Sequence, residues 1–463
     1  MNFRIYEYQS IPDEKGSLPS EFEEYLQKSA SSSKVIGKIN EDEIGRGKGN
    51  TFKNSGSSVG ILKCSESTRF EFLPKLDFHT KENPVWNYLP HMLETLTYER
   101  DLESKLFLDT NISIELPNGM DFVPLLFLSF VRFLELVIEN GVMKKYIKKE
   151  EDLRSIKGRI NFSKHASKRV WDYSKLPCIY NDLSIDNNEN QIIFWCAVKL
   201  LKHTKRKDDK TSFLEKVLRS QIELLSTVIT LKEKSLHDYN KVILTANHSY
   251  YAEIMKLCKV VLTERMFSHK ENEKSSHVGV NFLIDMNWVF EQYMTSMFEE
   301  VVNEMAVTNE NSKLCIETQK RKSLCDNGRI TIKPDLIIKN SVTKEAVVII
   351  DFKWKNIEKN NNADFYQVIC YALSELESRK GDVKESVVRA HLFCASDDMQ
   401  NDSLDFTKID EISELFKNRN MNAKIEIMKV ALGGGVFLKK DSVEIEKVIK
   451  EKIHEYLENL ETL

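Results

Sequence analysis

Residues 347–355 read VVIIDFKWK, and few stretches of this length restrict a fold so tightly. Four consecutive β-branched residues form a short apolar run with the composition of a strand buried on both faces. Asp351, Phe352, Lys353, Trp354 and Lys355 follow where that strand emerges. An uncompensated buried polar group costs about 2–7 kcal/mol, and a buried charge more. The strand must therefore end where partners for its charges are supplied. Side chains alternate along a strand, which puts Asp351 and Lys353 on one side. Ligand sites of α/β sheets lie at such strand ends.

The acid-x-Lys spacing discriminates weakly by itself. With 71 Asp+Glu and 67 Lys+Arg among 463 residues, about ten such pairs arise by chance. Its surroundings carry more. Asp335 sits in TIKPDLII, where Pro334 disfavours continued ladder pairing. A hairpin turning near KNSVTKE (339–345) sets Asp335 beside Asp351. Two adjacent carboxylates raise each other's pKa unless a cation lies between them. Oxygen donors of this kind suit Mg²⁺, which takes one or two carboxylates plus waters and phosphate oxygens. Lys353 adds a fixed positive charge for a phosphate oxygen or an attacking hydroxide, and the expected chemistry is metal-assisted phosphodiester hydrolysis. Glu291, in NWVFEQYM, offers a third carboxylate on a helix anchored by Trp288 and Phe290. Gln367 and Tyr371, at i and i+4 in DFYQVICYA, share a helix face from which they can steady a phosphate or its water.

A chain of 463 residues exceeds one ordinary core, so two or three domains are expected. The net charge of −4 excludes a globally basic nucleic-acid coat, so any DNA contact is local. None of the eight cysteines forms a CxxC pair, and Cys196, Cys258 and Cys370 lie in apolar stretches, as reduced core thiols do. FVPLLFLSFVRFLELVI (122–138) is interrupted by Pro124, Arg132 and Glu135. It falls short of the roughly 18 uninterrupted apolar residues of a spanning helix. MNFRIYEYQS has no signal core, and the expectation is a cytoplasmic protein with no membrane contact.

The expected fold is multidomain α+β. A β-rich N-terminal domain spans 1–84, with strands in VGILKC and RFEFLPKLDF between Ser/Gly-rich connectors. A mainly helical region spans 85–275. An α/β domain spans 276–463, opening on one long amphipathic helix, VNFLIDMNWVFEQYMTSMFEEVVNEMA. The charge runs KGRINFSKHASKRVW (157–171) and KHTKRKDDK (202–210) read most simply as solvated faces. GGGVFLKK reads as a turn, and the histidines show no zinc-ligand spacing.

Glu291, the PD of 334–335, the DFK of 351–353 and the YQ…YA helix together resemble the PD-(D/E)xK nuclease superfamily. The similarity extends from about residue 59 to 375 and takes in the McrC family, the nuclease subunits of McrBC-type modification-dependent restriction systems. VGILKCSESTRFEFLPKLDF, ENGVMKKYIKKEEDLRSIKGRINF, CIYNDLSIDNNENQII and MNWVFEQYM match its segments in order. The resemblance implies a C-terminal nuclease domain with Asp335, Asp351, Lys353, Glu291, Gln367 and Tyr371 as catalytic residues. It implies Mg²⁺, replaceable by Mn²⁺, on Asp335, Asp351 and Glu291. It further implies double-stranded DNA as substrate and a hexameric McrB-like AAA+ GTPase as partner, docked on the N-terminal domain and reading modified DNA of the 5-methylcytosine class. GTP would enter through that partner alone, and a double-strand cut would bring two complexes together. Position 351 is Asp where the family carries Glu, and residues 1–58 match no family segment. No G-x-x-x-x-G-K-[ST] loop occurs: GRGKGN and GGGVFLKK both fail the pattern, so a motor must be another chain. The alternative is a non-catalytic bridging subunit that activates an AAA+ DNA translocase. A plain surface ion pair, contributing about 0–1 kcal/mol, is the simplest account of Asp351 and Lys353 alone. The companion motifs outweigh it.

Overall fold

The computed structural model describes residues 2–7, 22, 24–25, 28, 56–65, 68–77, 84–95, 106–115, 123–168, 174–203, 213–244, 246–263, 278–308, 313–318, 320–323, 331–354, 362–378, 387–395, 406–412, 422–430 and 442–461. Lys355, GRGKGN, GGGVFLKK, residues 169–171 and most of the N-terminal connectors lie outside them.

The chain opens with β1 (Asn2–Tyr6), β2 (Ser58–Lys63), β3 (Arg69–Leu73), α1 (Pro84–Thr95) and β4 (Leu106–Glu115). β1 runs parallel to β3, and β3 pairs antiparallel with β2. Pro74 ends β3, and a single 3-10 turn brings Asp77 under the start of α1. There the Asp77 carboxylate accepts the backbone N–H groups of Val85 (2.9 Å) and Trp86 (2.8 Å), donors that a helix start leaves without partners.

Residues Phe122–Gly279 form a compact unit of their own. It holds α2 (Val123–Asn140), β5 (Lys145–Leu153), β6 (Arg159–Ile160), α3 (Phe162–Lys168), β7 (Leu176–Ser184), α4 (Asn188–His203), α5 (Phe213–Ser226) and α6 (Ala252–Leu262). Helices appear where the 3.6-residue period places them, and α2 stops at Gly141, whose φ is +94°. The region is not purely helical, however: β5, β7 and β6 form an antiparallel sheet in the order β5-β7-β6. Its strand KYIKKEEDL carries too many charges for an apolar period to be read. It is held by its ladder and by cross-strand pairs such as Lys149–Asp182 at 2.7 Å and Tyr180–Glu151 at 2.7 Å. The asparagines of SIDNNENQ have local work. Asn187 caps α4 by accepting the N–H of Asn190 (3.0 Å), and both donate side-chain N–H groups to the Met143 carbonyl.

The remaining elements are β8 (Val278–Asp285), α7 (Met286–Thr308), β9 (Leu314–Thr318), β10 (Lys322–Ser323), β11 (Thr331–Ile332), β12 (Leu336–Asn340), β13 (Ala346–Lys353), α8 (Asn362–Ser378), β14 (Val387–Ala395), β15 (Phe406–Ile412), β16 (Asn422–Val430) and α9 (Ser442–Glu461). The expected helix over VNFLIDMNWVFEQ is thus two elements. VNFLID completes β8, and Asp285 starts α7 by accepting the Asn287 N–H at 3.0 Å. β8 pairs with β2 in a five-stranded sheet ordered β1-β3-β2-β8-β4. Their approach is close: at Gly60, whose φ is +152°, a Cβ would lie 2.0 Å from the Phe282 carbonyl oxygen.

This pairing changes the domain division. Residues 1–121 and 280–463 form one compact unit, which differs from the expected cuts at 84 and 275. The second sheet runs β15-β16-β14-β13-β12-β9, with β13 parallel to β14 across the α8 connection. Alternation along β13 splits its side chains between two layers. Phe352 packs with Phe298 of α7 and Phe393 of β14. Tyr456 of α9 meets the same Phe298 and Phe393 rings. Ile349 faces the other way, into a cluster with Val368, Tyr371 and Ala372 of α8. That i, i+3, i+4 face leaves Cys370 exposed, contrary to the expected core thiol, whereas Cys196 and Cys258 are buried. Among the described residues no helix is long and apolar enough to cross a membrane.

Candidate active site at the end of β13

The β12–β13 hairpin turns where KNSVTKE predicts it. The Asn340 side-chain oxygen accepts the N–H groups of Val342 (2.9 Å) and Thr343 (3.1 Å), and Lys344 takes a φ of 63°. Leu336 then pairs with Ile350, so the next residues outward, Asp335 and Asp351, face each other across the strands. Asp335 Oδ2 accepts the Phe352 N–H at 2.8 Å, which fixes this carboxylate against the neighbouring backbone. The Lys353 ammonium lies 2.7 Å from Asp351 Oδ2, as the strand alternation requires. Asp351 is only 1% exposed, and among the described residues its Oδ1 has no hydrogen-bond partner.

Two carboxylates and one ammonium share this end of the sheet. Burial first, then the negative charges of Asp351 and Glu291, push the Asp335 carboxyl well above its usual range. Burial also raises Asp351, although Lys353 opposes the shift. Burial works against the Lys353 charge, yet Asp351 and Asp335 outweigh it and hold the ammonium above its ordinary pKa. Burial and mutual repulsion thus favour a proton on this carboxyl pair unless a further cation is bound beside it.

Glu291 extends from α7, where Trp288 and Phe290 are buried as anchors. Its charge acts on Asp335. Among the described residues, however, no three His, Cys, Asp or Glu side chains are grouped to hold a metal, so a ready three-carboxylate cage is not formed. What is present is a pair of buried carboxylates, one with an oxygen that no described residue bonds. This donor set fits a hard divalent cation that keeps waters and takes substrate oxygens as its other ligands.

Gln367 and Tyr371 do share a face of α8, and the Gln367 amide donates to the Tyr371 hydroxyl. That hydroxyl donates in turn to the Lys333 carbonyl at 3.1 Å. Tyr371 is 2% exposed, so its phenol holds the segment leading to Asp335 rather than facing open solvent. Sequence reasoning missed Asp364, a buried carboxylate in the first turn of α8 whose charge acts on both Asp351 and Lys353. Its spacing of three from Gln367 and seven from Tyr371 was the available signal. Two lysines of the basic run from 157 are engaged internally. Lys157 lies 3.1 Å from Asp182 and over the Tyr180 ring, and Lys164 is 3.1 Å from Glu150.

Two solved structures from Thermococcus gammatolerans resemble the chain loosely. One is a refined half-complex from a tetradecameric assembly of McrB AAA+ hexamers with bound McrC. It matches at 14% identity and a TM-score of 0.44, covering 98% of this chain and 100% of that one. The other is a cryo-EM structure of the McrBC complex, matched at 18% identity and a TM-score of 0.29 over 65% of this chain and 88% of that one. No curated protein matches the chain. The model of the family described as McrBC 5-methylcytosine restriction system component matches residues 54–382, a span holding the β12–β13 hairpin, Glu291 and the Gln367–Tyr371 face. The chain belongs to that McrBC family.

Proposed function

We propose that this chain is the DNA endonuclease subunit of a McrBC-type restriction system, cutting phosphodiesters with Mg²⁺. The observation that carries the reading is the convergence of Asp335, Asp351 and Lys353 where β12 and β13 end, two buried carboxyls beside one ammonium. A structural ion pair gains nothing from a second buried carboxylate beside it, whereas a divalent cation is held by one or two of them. Asp335 and Asp351 would hold the metal, which supplies a polarised phosphate oxygen and an activated water when bound. Lys353 keeps its positive charge across the neutral range and faces the negative charge that develops on the scissile phosphate. Tyr371 keeps Asp335 in place through the Lys333 carbonyl. Glu291 and Asp364 tune the charge of the pair, and Gln367 orients the phenol.

The Thermococcus assemblies place McrC with McrB AAA+ hexamers. We carry that over as a partner: an AAA+ GTPase ring that reads modified DNA and moves it, with two complexes meeting for a double-strand cut. The test is Asp351→Ala assayed with the partner ring, methylated duplex and Mg²⁺. Cleavage is expected to disappear while stimulation of nucleotide hydrolysis persists. Cleavage at the wild-type rate would instead favour a bridging subunit whose nuclease fold only binds DNA.

A further inference from the structure

The chain leaving Lys353 is gripped by residues far away in sequence. Glu7 follows β1, donates its N–H to the Leu73 carbonyl at 3.0 Å and is 3% exposed. Its Oε2 accepts two N–H groups, the Trp354 indole at 2.7 Å and the Lys75 backbone at 3.0 Å. The Lys75 ammonium donates to the Trp354 carbonyl oxygen and lies 5.5 Å from the centre of the Trp354 ring. Trp354 itself is 1% exposed, and its ring packs against Phe290 of α7 at 5.4 Å.

From this geometry we infer that Glu7 and Lys75 are positioning residues for the site, holding Trp354 so that Lys353 stays on Asp351. The last pair of the β13–β14 ladder is Lys353 with Cys394, so Trp354 is the first residue past the ladder. Without the grip, β13 would be free to fray at its end, and fraying begins at the residue that carries the ammonium. The contacts are specific in direction. The indole N–H and the peptide carbonyl of one residue are taken by an acceptor and a donor from the N-terminal sheet, while α7 fills the ring's other side. Burial pushes the Glu7 carboxyl up to about 8, as expected for an acid withdrawn from water to make these bonds.

The inference rests on the nuclease reading above, and its test separates the two. The full chain is assayed with its partner ring, methylated duplex and Mg²⁺, recording single-turnover cleavage, KM for DNA, stimulated nucleotide hydrolysis and melting temperature. Trp354→Phe keeps an aromatic ring against Phe290 and loses the indole donor. Lys75→Met keeps the aliphatic stem and loses the ammonium. Each is expected to lower cleavage by about ten- to a hundred-fold, the scale of a misplacement near 1 Å, with KM and nucleotide hydrolysis close to wild type and melting lowered only by the few degrees that one lost hydrogen bond costs. Glu7→Ala should fall likewise and Glu7→Gln should recover most of the rate, because an amide oxygen still accepts both N–H groups. Wild-type cleavage by Trp354→Phe and Lys75→Met, beside an inactive Asp351→Ala, overturns the positioning role and leaves the site assignment standing. Losses that simply follow the melting temperature overturn it as well. An active Asp351→Ala brings down the nuclease assignment itself, and the positioning role with it.

Discussion

Replacing Lys353 with Met isolates the charge balance at the end of β13. The side chain keeps its length and loses its ammonium, leaving Asp335 and Asp351 buried without that cation. Breaking a buried pair by removing one partner costs about 3–5 kcal/mol. Lys353 retains 23% side-chain exposure, so water screens part of the interaction and about 2–4 kcal/mol is the expected loss near neutral pH. In a unit of this size that corresponds to a fall of about 3–6 °C in melting temperature. The loss should depend on pH in one direction. Both carboxyls already sit above their unfolded values, and without the ammonium they rise further. An acid raised in the folded state takes up its proton at low pH and is neutral there. Its cost grows as pH climbs from the unfolded pKa through the folded one. The gap between wild type and Lys353→Met should therefore be small at an acid pH and wider at an alkaline one. A divalent cation should partly replace the ammonium: Mg²⁺ at ten times its dissociation constant restores about 1.4 kcal/mol. Calorimetry across pH, with and without Mg²⁺, reads both effects. A variant that melts with wild type at both pH values, or that gains nothing from Mg²⁺, refutes the idea of two carboxylates in need of a cation.

Gly60→Ala should destabilise by about 2–5 kcal/mol, read by denaturant unfolding, since its Cβ would meet the Phe282 carbonyl at 2.0 Å. Unchanged unfolding would mean that β2 and β8 are not so closely apposed. Tyr371→Phe strips the Lys333 carbonyl of its donor and should cost about 1–2 kcal/mol with a several-fold slower cut. Complete loss of cleavage at preserved stability would make the phenol a direct participant. Asp77 is raised to about 7, by burial against two backbone hydrogen bonds. Wild type should accordingly lose stability between about pH 4 and about pH 7 relative to Asp77→Asn, which does not titrate. Melting curves that stay parallel across that range would contradict this.

Legibility in the sequence followed the range of the interactions involved. The β12–β13 hairpin rests on neighbours: Pro334 interrupts one strand, Asn340 closes the turn, and alternation puts Asp351 with Lys353. Each depends on contacts within about twenty residues, so the pattern of residue types was enough to place three charged groups together. The same holds for α2, α4, α5 and α6, whose apolar periods match the helices formed. VNFLIDMNWVFEQ failed as a single helix because an apolar run has no period of its own to separate strand from helix. There the outcome was decided by β2, which offers β8 a ladder, and by the side chain of Asp285, which restarts the chain as α7. The KYIKKEEDL strand was hidden for the opposite reason, since its stabilising partners lie across the sheet in LPCIYNDLS.

By itself, then, the sequence determined that a buried strand would end in a carboxylate and an ammonium with a second carboxylate opposite, because neighbouring residues impose that arrangement. Only the tertiary structure decided that residues 1–121 join 280–463 in one unit, and that Glu7 and Lys75 reach Trp354. Those contacts join residues hundreds of positions apart. They form where the residue after β13 meets the residue after β1 and the turn after β3, and no local pattern encodes which distant donor will meet a given carbonyl.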